Sequence, residues 1–267
     1  MADVPGPMRV EAHLNMRKPR SICAGCPSLQ KGLCGALDDT ELSRLGSVSW
    51  HRRFRAGDTI HVEGEVPPSF CAIVSGVVKL LKSLPNGSQQ IVGLFAAGDF
   101  LGRPFGGEAR ATAIAASEVE ICWFPRATIE SLAASSGAVK DWLYQHVSDE
   151  LEKAQEWIML LGRMTAEQKM AMLLLSLMKT AADGKPGPAP MREMVIELPL
   201  SRTEIADYLG LTIETVSRQI ACLRERHVIS AGNTRSVVVH RPDVLTAIVN
   251  SANTPTARQR IRLKLQQ

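Results

Sequence analysis

The sequence predicts an α+β chain in three parts: an antiparallel β-barrel or jelly roll, one long helix, and a small C-terminal winged helix-turn-helix. Three patterns carry this. Between Val48 and Arg126, short β-type runs alternate with tight-turn residues at fairly even spacing. From Lys140 to Met164 there is no Gly or Pro before Gly162, and apolar residues recur in steps of three and four. From Ser201 onward, two short capped helices meet at a glycine and a hairpin follows.

Composition agrees with a folded chain. Of 267 residues, 45% are apolar and 22% charged, which excludes a disordered protein. No apolar run approaches the ~20 residues that cross a bilayer. The stretch Met1–Arg20 lacks the apolar core and small-residue cleavage site of a signal peptide. The expectation is a cytoplasmic protein with no membrane partner. The formal charge is +4, yet from Ser201 onward ten basic residues face five acidic ones, so the rest of the chain is slightly acidic. A basic end on a near-neutral body is the footprint of a polyanion-binding module, although a solvated charged face gives the same count.

The elements follow in order. Met1–Ser21 is polar and reads as loosely ordered. Ile22–Leu37 reads as a loop, with three cysteines and three glycines, tied down by something other than a core. The β-type runs include Ala72–Val74, Val77–Leu81, Ile91–Phe95 and Val119–Phe124. Asn86-Gly87 and Gly98-Asp99 between them offer the positive φ that tight turns need. On the long helix, Leu143, Val147, Leu151, Ala154, Ile158 and Leu161 form one stripe. That stripe either packs on its own β-domain or pairs with a second copy as a coiled-coil seam flanked by Glu150, Glu152, Lys153 and Glu156, and the homodimer is the favoured reading. Ala166–Ala181 is a further apolar helix, and Asp183–Pro190 breaks regular structure.

In the C-terminal module, Ser201-Arg202-Thr203-Glu204 is a capping box. Ile205, Ala206 and Leu209 turn inward, and Gly210 ends the helix. Thr212 caps a second helix whose buried face is Val216, Ile220 and Leu223. A helical hairpin in a plain core is the bland alternative. The outer face, with Glu214, Thr215, Ser217, Arg218 and Arg224, favours a recognition helix, because Arg grips guanine O6 and N7 and a carboxylate accepts from cytosine N4. Glu214 and Arg218 also have the spacing of an ordinary ion pair. Val228–Val239, turning at Gly232-Asn233, reads as a wing with Arg235 placed for a phosphate.

Cys23, Cys26 and Cys34 are spaced C-x2-C-x7-C. Three thiolates so close repel, and a disulfide uses them only two at a time, whereas a metal satisfies all. Cys71, Cys122 and Cys222 are the candidates for a fourth ligand. One compact pair plus scattered partners favours an iron–sulfur cubane over zinc, with both open at this point. Cys71 and Cys222 have the default reading of small core residues.

The order β-roll, long helix, winged helix-turn-helix resembles the CRP/FNR superfamily of bacterial transcription regulators. So do Cys23-x2-Cys26-x7-Cys34, Gly98-Asp99-Phe100-Leu101-Gly102, Glu118–Cys122 and Leu209–Arg218, and together they resemble its oxygen-sensing FNR branch. The resemblance implies a cyclic-nucleotide-binding-like β-roll (a double-stranded jelly roll) and a 4Fe-4S cluster on Cys23, Cys26, Cys34 and, by match of motif, Cys122. It implies a homodimer along Leu143, Val147, Leu151, Ala154, Ile158 and Leu161 that binds double-stranded DNA at a two-fold site of the TTGAT-N4-ATCAA type. Arg218 would take the guanine, Glu214 the cytosine and Ser217 a neighbouring thymine, with Thr212, Thr215, Arg202 and Arg235 completing the DNA-contacting set. The bound dimer would contact RNA polymerase at anaerobic or microaerobic genes, and oxygen would convert the cluster and release the dimer. In place of the acid that cyclic-nucleotide-binding relatives carry, Arg103-Pro104 follows Gly102, so the pocket reads as vestigial and no cyclic nucleotide is expected. The expected division is residues 1–37 for the cysteine-rich segment, 38–135 for the β-roll, 136–164 for the dimerisation helix, 165–250 for the DNA-binding domain and 251–267 for a basic tail. No Gly-rich phosphate loop, H-E-x-x-H or G-x-S-x-G pattern suggests an enzyme. Two rivals are the same architecture sensing nitric oxide, haem or thiol oxidation, and a zinc-stabilised subunit with no DNA role.

Overall fold

The computed structural model describes Cys23 and residues 25–67, 69–102, 106–182, 193–232 and 235–251. The stretch Met1–Ser21, the Arg103-Pro104 departure, the expected break at Asp183–Pro190, Asn233 of the expected wing turn and the basic tail all lie outside the described residues.

The N-terminal part opens with helix α1 (Pro27–Lys31), a 3-10 turn (Leu33–Ala36) and helix α2 (Asp39–Val48). Strands β1 (Trp50–Phe54), β2 (Thr59–His61), β3 (Ser69–Ser75), β4 (Val78–Ser83), β5 (Gln89–Phe95), β6 (Phe100–Leu101), β7 (Thr112–Ala115) and β8 (Val119–Pro125) follow. They form two antiparallel sheets, ordered β1-β8-β3-β6 and β2-β7-β4-β5, which is the expected jelly roll. Side chains alternate across each strand. Cys71, Ile73, Val119 and Ile121 point between the sheets, where they pack with Phe54, Val78, Leu101, Ala113 and Ala115. The alternate residues Phe70, Ala72, Cys122 and Phe124 point to the outer face of the first sheet, which helices and the N-terminal segment cover. Within Ile22–Leu37, read as a loop held by something other than a core, residues 27–36 instead hold α1 and the 3-10 turn, and Leu33 is fully buried in that outer-face cluster.

The β3–β4 turn depends on Gly76. Its φ is +84°, and a Cβ there would collide with the Glu118 carbonyl oxygen. Gly76→Ala is expected to cost about 2 kcal/mol or more, read as a lowered urea midpoint at unchanged slope.

Helix α3 (Arg126–Ser135) leads into α4 (Gly137–Arg163), whose 27 residues span about 40 Å. The Ser136 side chain caps α4 by accepting from the Val139 amide. One end of the expected stripe is corrected. Leu143 is 4% exposed and belongs to the core of its own β-roll, because the first turns of α4 lie on the outer face of the sheet. At the other end, Leu161 packs against the core of the C-terminal module. Tyr144, Val147, Leu151, Ala154 and Ile158 lie exposed along one side of the helix between those ends.

Only Met164 and Thr165 separate α4 from α5 (Ala166–Ala182). The C-terminal module continues with β9 (Met194–Glu197), α6 (Arg202–Leu209), α7 (Ile213–Glu225), β10 (Ile229–Ala231), β11 (Ser236–Val239) and α8 (Pro242–Asn250). Its sheet is ordered β10-β11-β9, so the wing hairpin gains a third strand, β9, that the sequence reading does not contain. The core of this module draws on α5, both helices of the helix-turn-helix and α8. Among the described residues no helix is long and apolar enough to cross a membrane.

Candidate metal centre and nucleic-acid interface

The cysteine site is built from two distant stretches. Cys26 lies just before α1, and its amide donates to the Cys23 carbonyl at 3.1 Å. Pro27 is the first residue of that helix, where a missing N–H leaves nothing unsatisfied. Cys34 sits in the 3-10 turn, which packs on α4. Two glycines permit this seating. A Cβ on Gly32 would come within 3.0 Å of the Gly98 carbonyl oxygen, and one on Gly35 within 2.6 Å of the Leu29 carbonyl oxygen.

Cys122 comes from β8, opposite His51 on β1 and Ala72 on β3. Strand parity decides where it points. Being an outer-face residue, Cys122 shares a cluster with Leu33, Cys34 and Trp142. Cys71, on the paired strand, points between the sheets and donates its thiol to the Leu101 carbonyl at 3.6 Å. Cys222 lies on α7, remote in sequence and in fold from this pocket. Cys34 acts most strongly on the Cys122 thiol, and Cys23 and Cys26 act on it more weakly.

Burial disfavours the thiolate form of Cys23, Cys34 and Cys122. Burial pushes the Cys34 thiol up to about 12, and the neighbouring Cys26 and Cys23 push the same way. Burial, then Cys34, drives the Cys122 thiol well up, against a hydrogen bond from Ser49. Cys23 is raised by burial and then by Cys26. Among the described residues, no three His, Cys, Asp or Glu side chains lie close enough to hold one metal ion. A single tetrahedral zinc with thiolates at ~2.3 Å would need sulfurs roughly 3.8 Å apart.

An aromatic chain links this pocket to the long helix. The Phe100 ring lies edge-on to Trp142 at 5.6 Å, and Trp142 stacks on His146 at 4.8 Å. Phe100 follows directly on the Gly98-Asp99 turn against which Gly32 is pressed. Burial holds the His146 imidazole below its ordinary value.

On the second surface, Ser201 and Glu204 form the expected capping box: the Ser201 amide donates to Glu204 Oε2 at 2.7 Å, and the Glu204 amide donates to Ser201 Oγ at 3.3 Å. Gly210 closes α6 at φ +60°, in the left-handed region. Thr212 Oγ1 accepts from the Thr215 amide at 3.3 Å, so these two threonines build the start of α7. Val216, Ile220 and Leu223 are buried, while Glu214 and Arg218 are exposed and Ser217 is half-buried beside them. The Glu214 carboxyl is held below its ordinary value by its own backbone amide, by Thr212 and, to a lesser extent, by Arg218. Arg202 is exposed at the start of α6 and Arg235 at the wing. Elsewhere in the module Arg226 pairs with Glu167, and Arg241 with Asp243 at 3.0 Å.

Residues 51–136 match the cyclic nucleotide-binding domain family, and residues 168–248 match the Crp-like helix-turn-helix domain family. The chain is 41% identical to a probable transcriptional activator of Rhizobium leguminosarum over 86% of this chain and 93% of that one. It is 35% identical to the transcriptional activator protein FnrL of Cereibacter sphaeroides over 81% and 87% of the two chains. The solved structure of FixK2 from Bradyrhizobium japonicum superposes with a TM-score of 0.68 at 29% identity, covering 77% of this chain and 99% of that one. With a β-roll ahead of a long helix and an exposed recognition helix behind it, the chain belongs to the CRP/FNR family, whose members are DNA-binding transcription regulators and not enzymes.

Proposed function

We propose that the protein is an oxygen-responsive transcription regulator. As a homodimer it binds a two-fold site of the TTGAT-N4-ATCAA type while a 4Fe-4S cluster is held by Cys23, Cys26, Cys34 and Cys122. The division into cysteine segment, β-roll, dimerisation helix, DNA-binding domain and tail follows the boundaries read from the sequence. The observation that carries the reading is that Cys122 shares a pocket with Cys34 against the start of the long helix, with Cys23 and Cys26 within electrostatic reach. Four soft donors, Cys122 buried and Cys23, Cys26 and Cys34 half-buried, match a polynuclear iron core better than one ion, since a core with a thiolate at each iron tolerates wider sulfur spacing.

When bound, the cluster supplies an oxygen-labile link between the N-terminal segment and the β-roll. The chain's own residues do the rest. With Cys34 fixed, the 3-10 turn stays seated on α4 and Gly32 on the Gly98 carbonyl. Phe100 then holds Trp142, and through it His146, in one position. The exposed seam of Tyr144, Val147, Leu151, Ala154 and Ile158 is thereby presented to a second copy. Pairing brings two α7 helices about one DNA turn apart, ~34 Å. Arg218 reads guanine, Glu214 cytosine and Ser217 thymine, while Arg202, Thr212, Thr215 and Arg235 complete the DNA-facing set. Because dimer and DNA binding are linked, loss of one weakens the other. The bound dimer contacts RNA polymerase in the cytoplasm.

The test is binding to the two-fold duplex by protein prepared without oxygen and then exposed to air, with Arg218→Ala beside it. Air is expected to abolish binding. Arg218→Ala is expected to cost about 1–3 kcal/mol per subunit in either site half and to relax selectivity at the guanine. Air-insensitive binding with full iron retained overturns the sensor, and wild-type affinity of Arg218→Ala overturns the readout.

A further inference from the structure

The DNA-reading module does not hang from α4 by the Met164–Thr165 joint alone. It reaches back to its own β-roll at the β4–β5 hairpin. Lys79 of β4 pairs with Glu204 of α6, and the two side chains are only 12% and 28% exposed. The other Glu204 oxygen is the one that accepts from the Ser201 amide, so one carboxylate both caps α6 and anchors it to the sensor domain. On β5, Gln90 Nε2 donates to the Tyr208 carbonyl at 3.1 Å. The other side of Tyr208 is held by α4, where Trp157 stacks on its ring at 4.1 Å. Ile91 of β5 is fully buried inside the core of the DNA-binding module. The head is thus fixed on two sides, by the hairpin and by the end of the dimerisation helix.

We propose that the β4–β5 hairpin, through Lys79 and Gln90, determines which half-site spacing the dimer accepts. This rests on the two-fold DNA reading above. In a symmetric dimer the separation of the recognition helices is set by the seam on α4 and by the angle of each head to it. One added or removed base pair shifts a half-site by ~3.4 Å and rotates it by roughly 36°. A head clamped on two sides cannot follow that movement, whereas a head attached by two residues and a hydrophobic contact swivels with it. Lys79 and Gln90 are therefore specificity-determining residues that touch no DNA.

The experiment uses the full chain prepared without oxygen and three duplexes: the TTGAT-N4-ATCAA site, and the same site with one spacer base pair removed or added. The quantity read is the ratio of affinities for the N4 duplex and each altered one. Lys79→Met keeps the packed stem and removes the charge, and is expected to lower that ratio about five-fold, as loss of a pair of this kind implies. Gln90→Ala is expected to lower it in the same direction and decides the matter if Lys79→Met does not fold. Lys79→Arg is expected to restore the wild-type ratio. An unchanged ratio in the folded variants, or equal weakening on all three duplexes, overturns the proposal and leaves the DNA reading intact. Wild-type protein that binds none of the duplexes overturns the DNA reading itself and this inference with it.

Discussion

Cys122→Ser, prepared without oxygen, is expected to fold and to contain almost no iron or acid-labile sulfide, while Cys71→Ser keeps its full complement of both. The two cysteines are closely matched in burial, at 8% and 2% exposure, and sit on hydrogen-bonded neighbouring strands of one sheet. They differ in parity. Cys122 points to the outer face with Cys34, and Cys71 points between the sheets to the Leu101 carbonyl. Serine offers a hard, protonated oxygen where a soft thiolate is needed, so the outer-face change removes a ligand and the inner-face change does not. Both place a hydroxyl in a largely apolar site, at a cost of about 1–3 kcal/mol. That common loss of stability is the internal control, because it separates failure to fold from failure to bind iron. Full iron in Cys122→Ser, measured per chain alongside a thermal melt, would move the fourth ligand elsewhere. DNA binding of Cys122→Ser without oxygen should match that of wild-type protein after air.

Much of this site is legible in the chain because its determinants are local. The Ser201 and Glu204 capping box, the left-handed Gly210 and the Thr212 cap are each fixed by side chains within a few residues, and each is found where the spacing puts it. The close spacing of Cys23, Cys26 and Cys34 is equally local. What spacing cannot supply is phase and pairing. Helical periodicity locates a stripe on α4 but not what each turn of it meets. The first turns lie on the sheet and bury Leu143, and the free side there begins one residue later, at Tyr144, which is 76% exposed. Strand β9 exists because Val195, Ile196 and their neighbours pair with β11 across the whole helix-turn-helix, a contact with no short-range signature. The pieces on either side of Gly32 are too short for periodicity to register. They are helical because Pro27 fits the first helical position and Leu33 finds a core made by residues far along the chain. The ruler contact of Lys79 with Glu204 is invisible for the same reason: each residue has an ordinary local role, and only the fold joins them.

Leu151→Glu is expected to turn the dimer into a monomer and, with it, to remove binding to the two-fold site. Leu151 is 59% exposed, and its neighbours along the helix, Val147 and Ile158, are 58% and 70% exposed. Apolar side chains at this spacing on a helix of this length gain about 1.5–3 kcal/mol each when buried. In a two-fold dimer one substitution acts twice, so Leu151→Glu forfeits roughly 3–6 kcal/mol before the repulsion of two carboxylates facing each other across the seam. That raises the dimer dissociation constant by about 10²-fold to 10⁴-fold, which sedimentation at micromolar protein reads directly. Leu143→Ala is the contrasting change. It removes a side chain from the core of its own subunit, so about 2–5 kcal/mol of fold stability is lost while the seam keeps its surface. A monomeric Leu143→Ala that melts like wild type, beside a dimeric Leu151→Glu, would shift the seam to the other side of α4. The recognition helices would then no longer face one side of the DNA, and Lys79 and Gln90 could no longer set the half-site spacing.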